Sequence, residues 1–206
     1  MKSTCLPDLY YASVYQADRR IDFNGFLWKR PEGNVLFDPM PLTPDQLEFV
    51  REQGGARWIL VSSVEHLRAA PELSESLGAE IVAPESEKIR LGELASVVSH
   101  WFDGRDTLPG GLGAELAVHW LGGGKSEAEP AFVIEPMRAA IFGDLVRSHE
   151  SGRLRLLPDP KLSDRERAIA DVRALGVDFD VVLLGDGDCI FRDASAALRQ
   201  LHADLA

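Results

Sequence analysis

The stretch Trp58-Ile59-Leu60-Val61-Ser62-Ser63-Val64-Glu65-His66 constrains this chain most. Residues 58–61 form a short apolar run of β-formers and read as a buried strand. Ser62 and Ser63 break the run and can cap a following helix. Glu65 and His66 then fall at a strand-to-helix turn, where side chains point into a crevice at a sheet end. A carboxylate beside an imidazole there is one way to begin a metal or acid/base site. The plainer reading is that Glu65 complements the helix dipole and His66 is a satisfied interior residue.

Around this stretch the element order is that of a mixed α/β chain. Residues 9–15, 23–29 and 35–39 read as three strands of an antiparallel meander, with Asp38 at the end of the third. Thr43-Pro44-Asp45-Gln46 combines an N-cap, a proline at the first helical position and a capping-box glutamine. Gly54-Gly55 closes that helix. A second helix is expected over 64–77, interrupted by Pro71 and ended by Gly78. A strand follows at 80–84, then a polar, partly helical segment at 85–94 and a strand within 97–102. Further strands are expected at 115–121, 131–135, 139–142 and 179–184. Residues 122–126 read as a flexible glycine loop and 145–162 as an irregular crossing. Ser163-Asp164-Arg165-Glu166 opens a helix that Gly176 stops, and Asp193 is expected to cap the last one. No linker, low-complexity segment or repeat divides residues 1–206, so one domain is expected. The order fits an α+β fold of αββα type: a four-layer sandwich of two mixed sheets with helices on the outer faces.

Composition narrows the partners. The formal net charge is −11 over 206 residues, which argues against nucleic acid and anionic membrane. Cys5 and Cys189 form no CxxC pair, so a cysteine zinc site is not expected and a reducing compartment is. The N-terminus has no apolar h-region and no apolar run reaches membrane-spanning length, so the expected location is the cytoplasm. A small-molecule substrate is the partner class left. Oligomeric state is not legible.

Five polar residues fall where strands end: Asp38, Glu65, His66, Asp144 and Asp186. Carboxylates that converge repel one another, and one or more would protonate. A divalent cation removes that penalty, and an oxygen-rich set with one nitrogen suits several ions. Each residue also has a local reading: Asp144 and Asp186 can hold turns and Asp38 loop amides. His119 beside the glycine loop reads more readily as a satisfied histidine, and His149 and His202 read as surface. Gly122-Gly123-Gly124-Lys125-Ser126 lacks the spacing of a phosphate loop, because His119 stands where a glycine is required.

These segments, in this order, resemble the metallo-β-lactamase superfamily over nearly the whole chain. Val35-Leu36-Phe37-Asp38-Pro39 is similar to its early strand ending in Asp. Residues 59–66 are similar to its strand and HxHxDH turn, and residues 121–126 to its loop with a ligand histidine. Residues 141–146 are similar to its strand ending in a metal-bridging Asp, and residues 183–188 to its last strand with a Gly-His-Gly turn. The departures are specific. The first-site histidine positions hold Val61, Ser63 and Gly124. The second-site positions hold Glu65, His66, Asp144 and Asp186, all ligand-capable types. The resemblance implies a metal-dependent, hydrolase-like protein with at most one ion (zinc, manganese or iron) or none. It places Asp38, Ser63 and Lys125 around that site as supporting or substrate-facing residues. The alternative it implies is a non-catalytic pseudoenzyme or binding module on the same fold.

Overall fold

A computed structural model describes residues 1–205. The chain forms two compact units, one of residues 1–14 and 23–113, the other of residues 15–22 and the chain from 114 onward.

The first unit is built on a seven-stranded sheet whose spatial order follows the sequence: β1 (Lys2–Ser3), β2 (Leu9–Gln16), β3 (Ile21–Trp28), β4 (Val35–Phe37), β5 (Trp58–Leu60), β6 (Glu80–Pro84) and β7 (His100–Phe102). The β3–β4 pair is antiparallel, as the meander requires. From β4 to β7 every pairing is parallel, because each connection crosses over through helical turns rather than a hairpin. α1 (Pro44–Glu52) starts with the expected capping box: Thr43 Oγ1 accepts the Gln46 N–H at 3.3 Å, and Gln46 Oε1 accepts the Thr43 N–H at 2.9 Å.

The second helix differs from the expectation. Residues Val64–His66 form a single 3₁₀ turn, and α2 runs only from Ala70 to Leu77. Arg68, at φ 40°, breaks the helical path between them. Pro71 therefore lies in the first turn of α2, where its missing N–H costs nothing, instead of kinking a longer helix. α3 (Lys88–Leu91) follows β6. Leu27, Leu36, Ile59 and Ile81 of the sheet pack with Val50, Ala70 and Leu73 of α1 and α2 into one core.

The second unit holds a four-stranded sheet in the order β13 (Val181–Leu184), β10 (Ala139–Phe142), β9 (Ala128–Ile134), β8 (Leu116–Gly122). β8, β9 and β10 are antiparallel, and β13 joins parallel to β10. Residues 145–162 are not irregular throughout. Val146–Glu150 and Arg153–Leu156 form a hairpin, β11 and β12, turning at Ser151-Gly152 with Gly152 at φ 81°. The alternation of Arg153 and Arg155 with Leu154 and Leu156 carries that signal. α4 (Arg165–Leu175) is capped by Asp164, whose carboxylate accepts the Arg167 N–H at 3.0 Å. α5 (Ala194–Asp204) has Asp193 at its N-cap position, as expected, but at φ 57° the residue caps through its main-chain carbonyl and makes no side-chain cap bond. Val172 and Leu198 pack with Phe142, Val182 and Leu184 in the core. Among the described residues no helix is long and apolar enough to cross a membrane.

Candidate functional site

In the first unit the chemistry gathers on Asp38. It follows β4 and adopts φ 44°, a left-handed conformation uncommon for a non-glycine residue. Gly25 of β3 allows this: a Cβ there would lie 2.8 Å from the Met40 nitrogen and from the Pro39 Cα. The buried Asp38 carboxylate accepts the Ser62 N–H at 2.7 Å on Oδ1 and the Ser62 hydroxyl at 2.7 Å on Oδ2. His66 Nδ1 lies 2.8 Å from the same Oδ2. A carboxylate can only accept, so Nδ1 carries the proton and donates. That bond fixes the ring and its tautomer, with Nε2 placed 3.5 Å from Arg68 Nη2. Arg68 is held in turn by the Asn24 carbonyl at 2.8 Å and lies over the Phe23 ring.

Glu65 is not drawn into this group. Its carboxylate accepts from Arg90 Nη2 at 2.7 Å on the outer side of the turn. Arg90 Nη1 donates to Glu87 Oε2 at 2.7 Å, and the same oxygen accepts the Val64 N–H at 2.7 Å. Glu87 is fully buried, and its Oε1 has no hydrogen-bond partner. It anchors the turn that carries His66. Sequence reasoning missed it because residues 85–94 read as a polar, partly helical segment in which nothing sets Glu87 apart. Ser63 is buried with its hydroxyl unpartnered. Val61 is part of the apolar core.

In the second unit the chemistry gathers on Asp144. The glycine loop before it is clamped rather than flexible. The Gly122 N–H donates to the Asp171 carboxylate at 2.7 Å, and Gly123 O accepts the Ser163 N–H at 3.0 Å. Gly123, at φ 75°, passes so close to α4 that a Cβ would come 2.0 Å from the Asp164 carbonyl oxygen. The clamped loop delivers Lys125. Its ammonium donates to both Asp144 oxygens, at 2.7 and 2.8 Å. Buried Glu129 of β9 accepts the Leu145 N–H at 2.8 Å and so holds the segment carrying Asp144.

Arg147 of β11 completes the arrangement. Its Nη2 lies 3.0 Å from Asp144 Oδ1 and 2.9 Å from Asp186 Oδ2, so one nitrogen links the two carboxylates. Asp186 follows β13, and its carbonyl accepts the Ser148 N–H at 3.3 Å. The Gly187 N–H donates to the Asp22 carbonyl at 2.7 Å, and Gly187 itself is at φ 104°. Asp144 and Asp186 are each 2% exposed and Arg147 is 6% exposed. Two buried carboxylates are thus matched by two side-chain cations in charge-assisted hydrogen bonds. Sequence reasoning missed Arg147 and Glu129. The hairpin alternation would have placed Arg147 on a strand; nothing in the sequence marks Glu129 as turned inward.

Two neighbouring groups are perturbed. Burial, with Arg147 and Arg155 close by, holds the His149 imidazole below its ordinary pKa. Burial pushes the Cys189 thiol up to about 12.

The sequence matches the metallo-β-lactamase superfamily over residues 1–205. No curated protein matches it in sequence. Solved structures similar in fold include a metallo-β-lactamase from Pontibacter korlensis, 16% identical, with a TM-score of 0.74 over 98% of this chain and 97% of that one. A metallo-β-lactamase from Erythrobacter litoralis is 15% identical, with a TM-score of 0.70 over 98% and 95%. The metallo-β-lactamase FIM-1 from Pseudomonas aeruginosa, solved in its mono-zinc form, is 13% identical, with a TM-score of 0.68 over 98% and 94%. At these identities the likeness concerns the fold.

Proposed function

The chain belongs to the metallo-β-lactamase superfamily and has its α+β fold, a membership that suggests metal-dependent, hydrolase-like function, and from that premise we propose that it is a non-hydrolytic, small-molecule-binding member. One observation carries this reading: each ligand-type carboxylate of the two clusters already has a protein partner. Asp38 is committed to Ser62 and His66, and Glu65 to Arg90. Asp144 is committed to Lys125 and Arg147, and Asp186 to Arg147. The positions at which the resemblance puts three further histidines hold Val61, Ser63 and Gly124, and a valine and a glycine offer no ligand atom.

These pairings weigh against a bound ion, and no reaction step is assigned to one. Cleavage of esters, thioesters, lactams or phosphodiesters is expected to be absent with zinc or manganese added. Turnover of any of these that disappears in Asp144→Asn would contradict the reading.

A second reading has one observation in its favour. The Asp38–His66 bond is the arrangement in which a carboxylate orients an imidazole for a metal on its other nitrogen. A single ion would then be held on His66 Nε2. That reading expects about one metal per chain in protein purified without chelator, lost in His66→Ala.

A further inference from the structure

We propose that the ammonium of Lys125 and the guanidinium of Arg147 stand in for a divalent ion at Asp144 and Asp186, so that the second unit supplies its own counter-cation. The inference rests on the non-hydrolytic reading above and names the residues behind it.

Charge comes first. Two buried carboxylates without a counter-charge would repel each other. A divalent ion prevents this with two positive charges. Lys125 and Arg147 together bring the same two charges, each within hydrogen-bond distance of a carboxylate.

Geometry comes second. A bridging ion touches both carboxylates at once. Arg147 Nη2 does so, at 3.0 Å from Asp144 and 2.9 Å from Asp186. Lys125 Nζ spans both oxygens of Asp144 at 2.7 and 2.8 Å, a chelating contact made by an ammonium.

The cations are also built into the fold. Arg147 is 6% exposed, and its Nε and Nη2 reach the Asp144 main-chain oxygen at 3.4 and 3.3 Å as well as the side chains. Lys125 arrives on the loop clamped by Asp171 and Ser163, and Glu129 fixes the segment on which Asp144 sits. An incoming ion would have to expel a buried guanidinium from all its acceptors while being repelled by both cations, which makes the pair an excluding device.

Equilibrium dialysis and thermal melting with zinc chloride test this on the full chain and on the double variant Lys125→Met, Arg147→Met. The wild type is expected to bind no zinc at micromolar concentration and to melt at the same temperature with zinc or with chelator. The double variant is expected to bind one ion at least about tenfold more tightly and to melt higher with zinc. Folding of the variant only when zinc is present supports the proposal equally. Wild-type protein that binds zinc as tightly as the variant overturns it. If the variant fails to fold under all conditions, the wild-type arm decides: zinc-induced stabilisation overturns the proposal, and indifference to zinc and chelator supports it. Ester or lactam turnover by zinc-free wild type would overturn the non-hydrolytic reading and leave this one standing.

Discussion

Both carboxylate oxygens of Asp144 accept from the one ammonium of Lys125, at 2.7 and 2.8 Å. Because Asp144 is buried and also faces Arg147, its removal takes away the carboxylate that holds Lys125 and one of the two carboxylates that hold Arg147. Asp144→Ala is expected to lower unfolding free energy by about 3–5 kcal/mol in urea titration, the cost of leaving buried charge uncompensated. The exposed Arg138–Asp178 pair is the control: Asp178→Ala should cost under about 1 kcal/mol, because water already screens that contact. Equal losses at the two positions would contradict the burial argument.

The hairpin of Arg147 sets a pH dependence. His149 has its pKa held below 6.5 by burial and by the neighbouring cations Arg147 and Arg155. An imidazole that binds protons more weakly when folded favours the unfolded state once that state protonates. Stability is therefore full above about pH 6.5 and declines as pH falls through that value toward the folded pKa. Proton NMR should place the His149 midpoint below 6.5, and Arg155→Ala should raise it.

The turn after Asp186 depends on glycine. Gly187 sits at φ 104°, and a Cβ there would come within 1.8 Å of the Ser148 carbonyl oxygen. Gly187→Ala should cost more than the about 1–3 kcal/mol of backbone strain alone, because main chain must also move. Gly55→Ala, at φ 75° with nothing within 4 Å of the added Cβ, should cost only the strain. Chemical denaturation of the two variants ranks them.

The two cysteines should separate cleanly. Cys5 is exposed, whereas Cys189 is a partly buried thiol with its pKa raised to about 12. One thiol per native chain should react quickly with a disulfide reagent at neutral pH, and the second only after denaturation. Fast reaction of both would show that the segment around Cys189 opens readily.

Much of the fold was legible because its signals are local. Thr43 and Gln46 specify a helix start by their own side chains, and apolar runs such as 58–60 and 181–184 need no partner to be recognised as strands. The helix expected over 64–77 was not, because Arg68 takes a left-handed conformation that its residue type does not advertise. The β11–β12 hairpin escaped notice because its alternating signal is confined to the four residues of β12. For the site, residue type and strand-end position were enough to single out Asp38, His66, Asp144 and Asp186. They could not reveal what those residues pair with. Arg147 and Lys125 reach Asp144 through long side chains from a hairpin and a loop, and Glu65 turns to Arg90, twenty-five residues on. Such pairings are tertiary, and spacing along the chain carries no record of them.

On the proposal above, fixed side-chain cations rather than a metal balance Asp144 and Asp186. Elemental analysis of wild-type protein purified without chelator and dialysed against zinc tests it most directly. Well under one zinc, manganese or iron per chain is expected. A stoichiometric ion that is lost in Asp144→Asn or Asp186→Asn would contradict it.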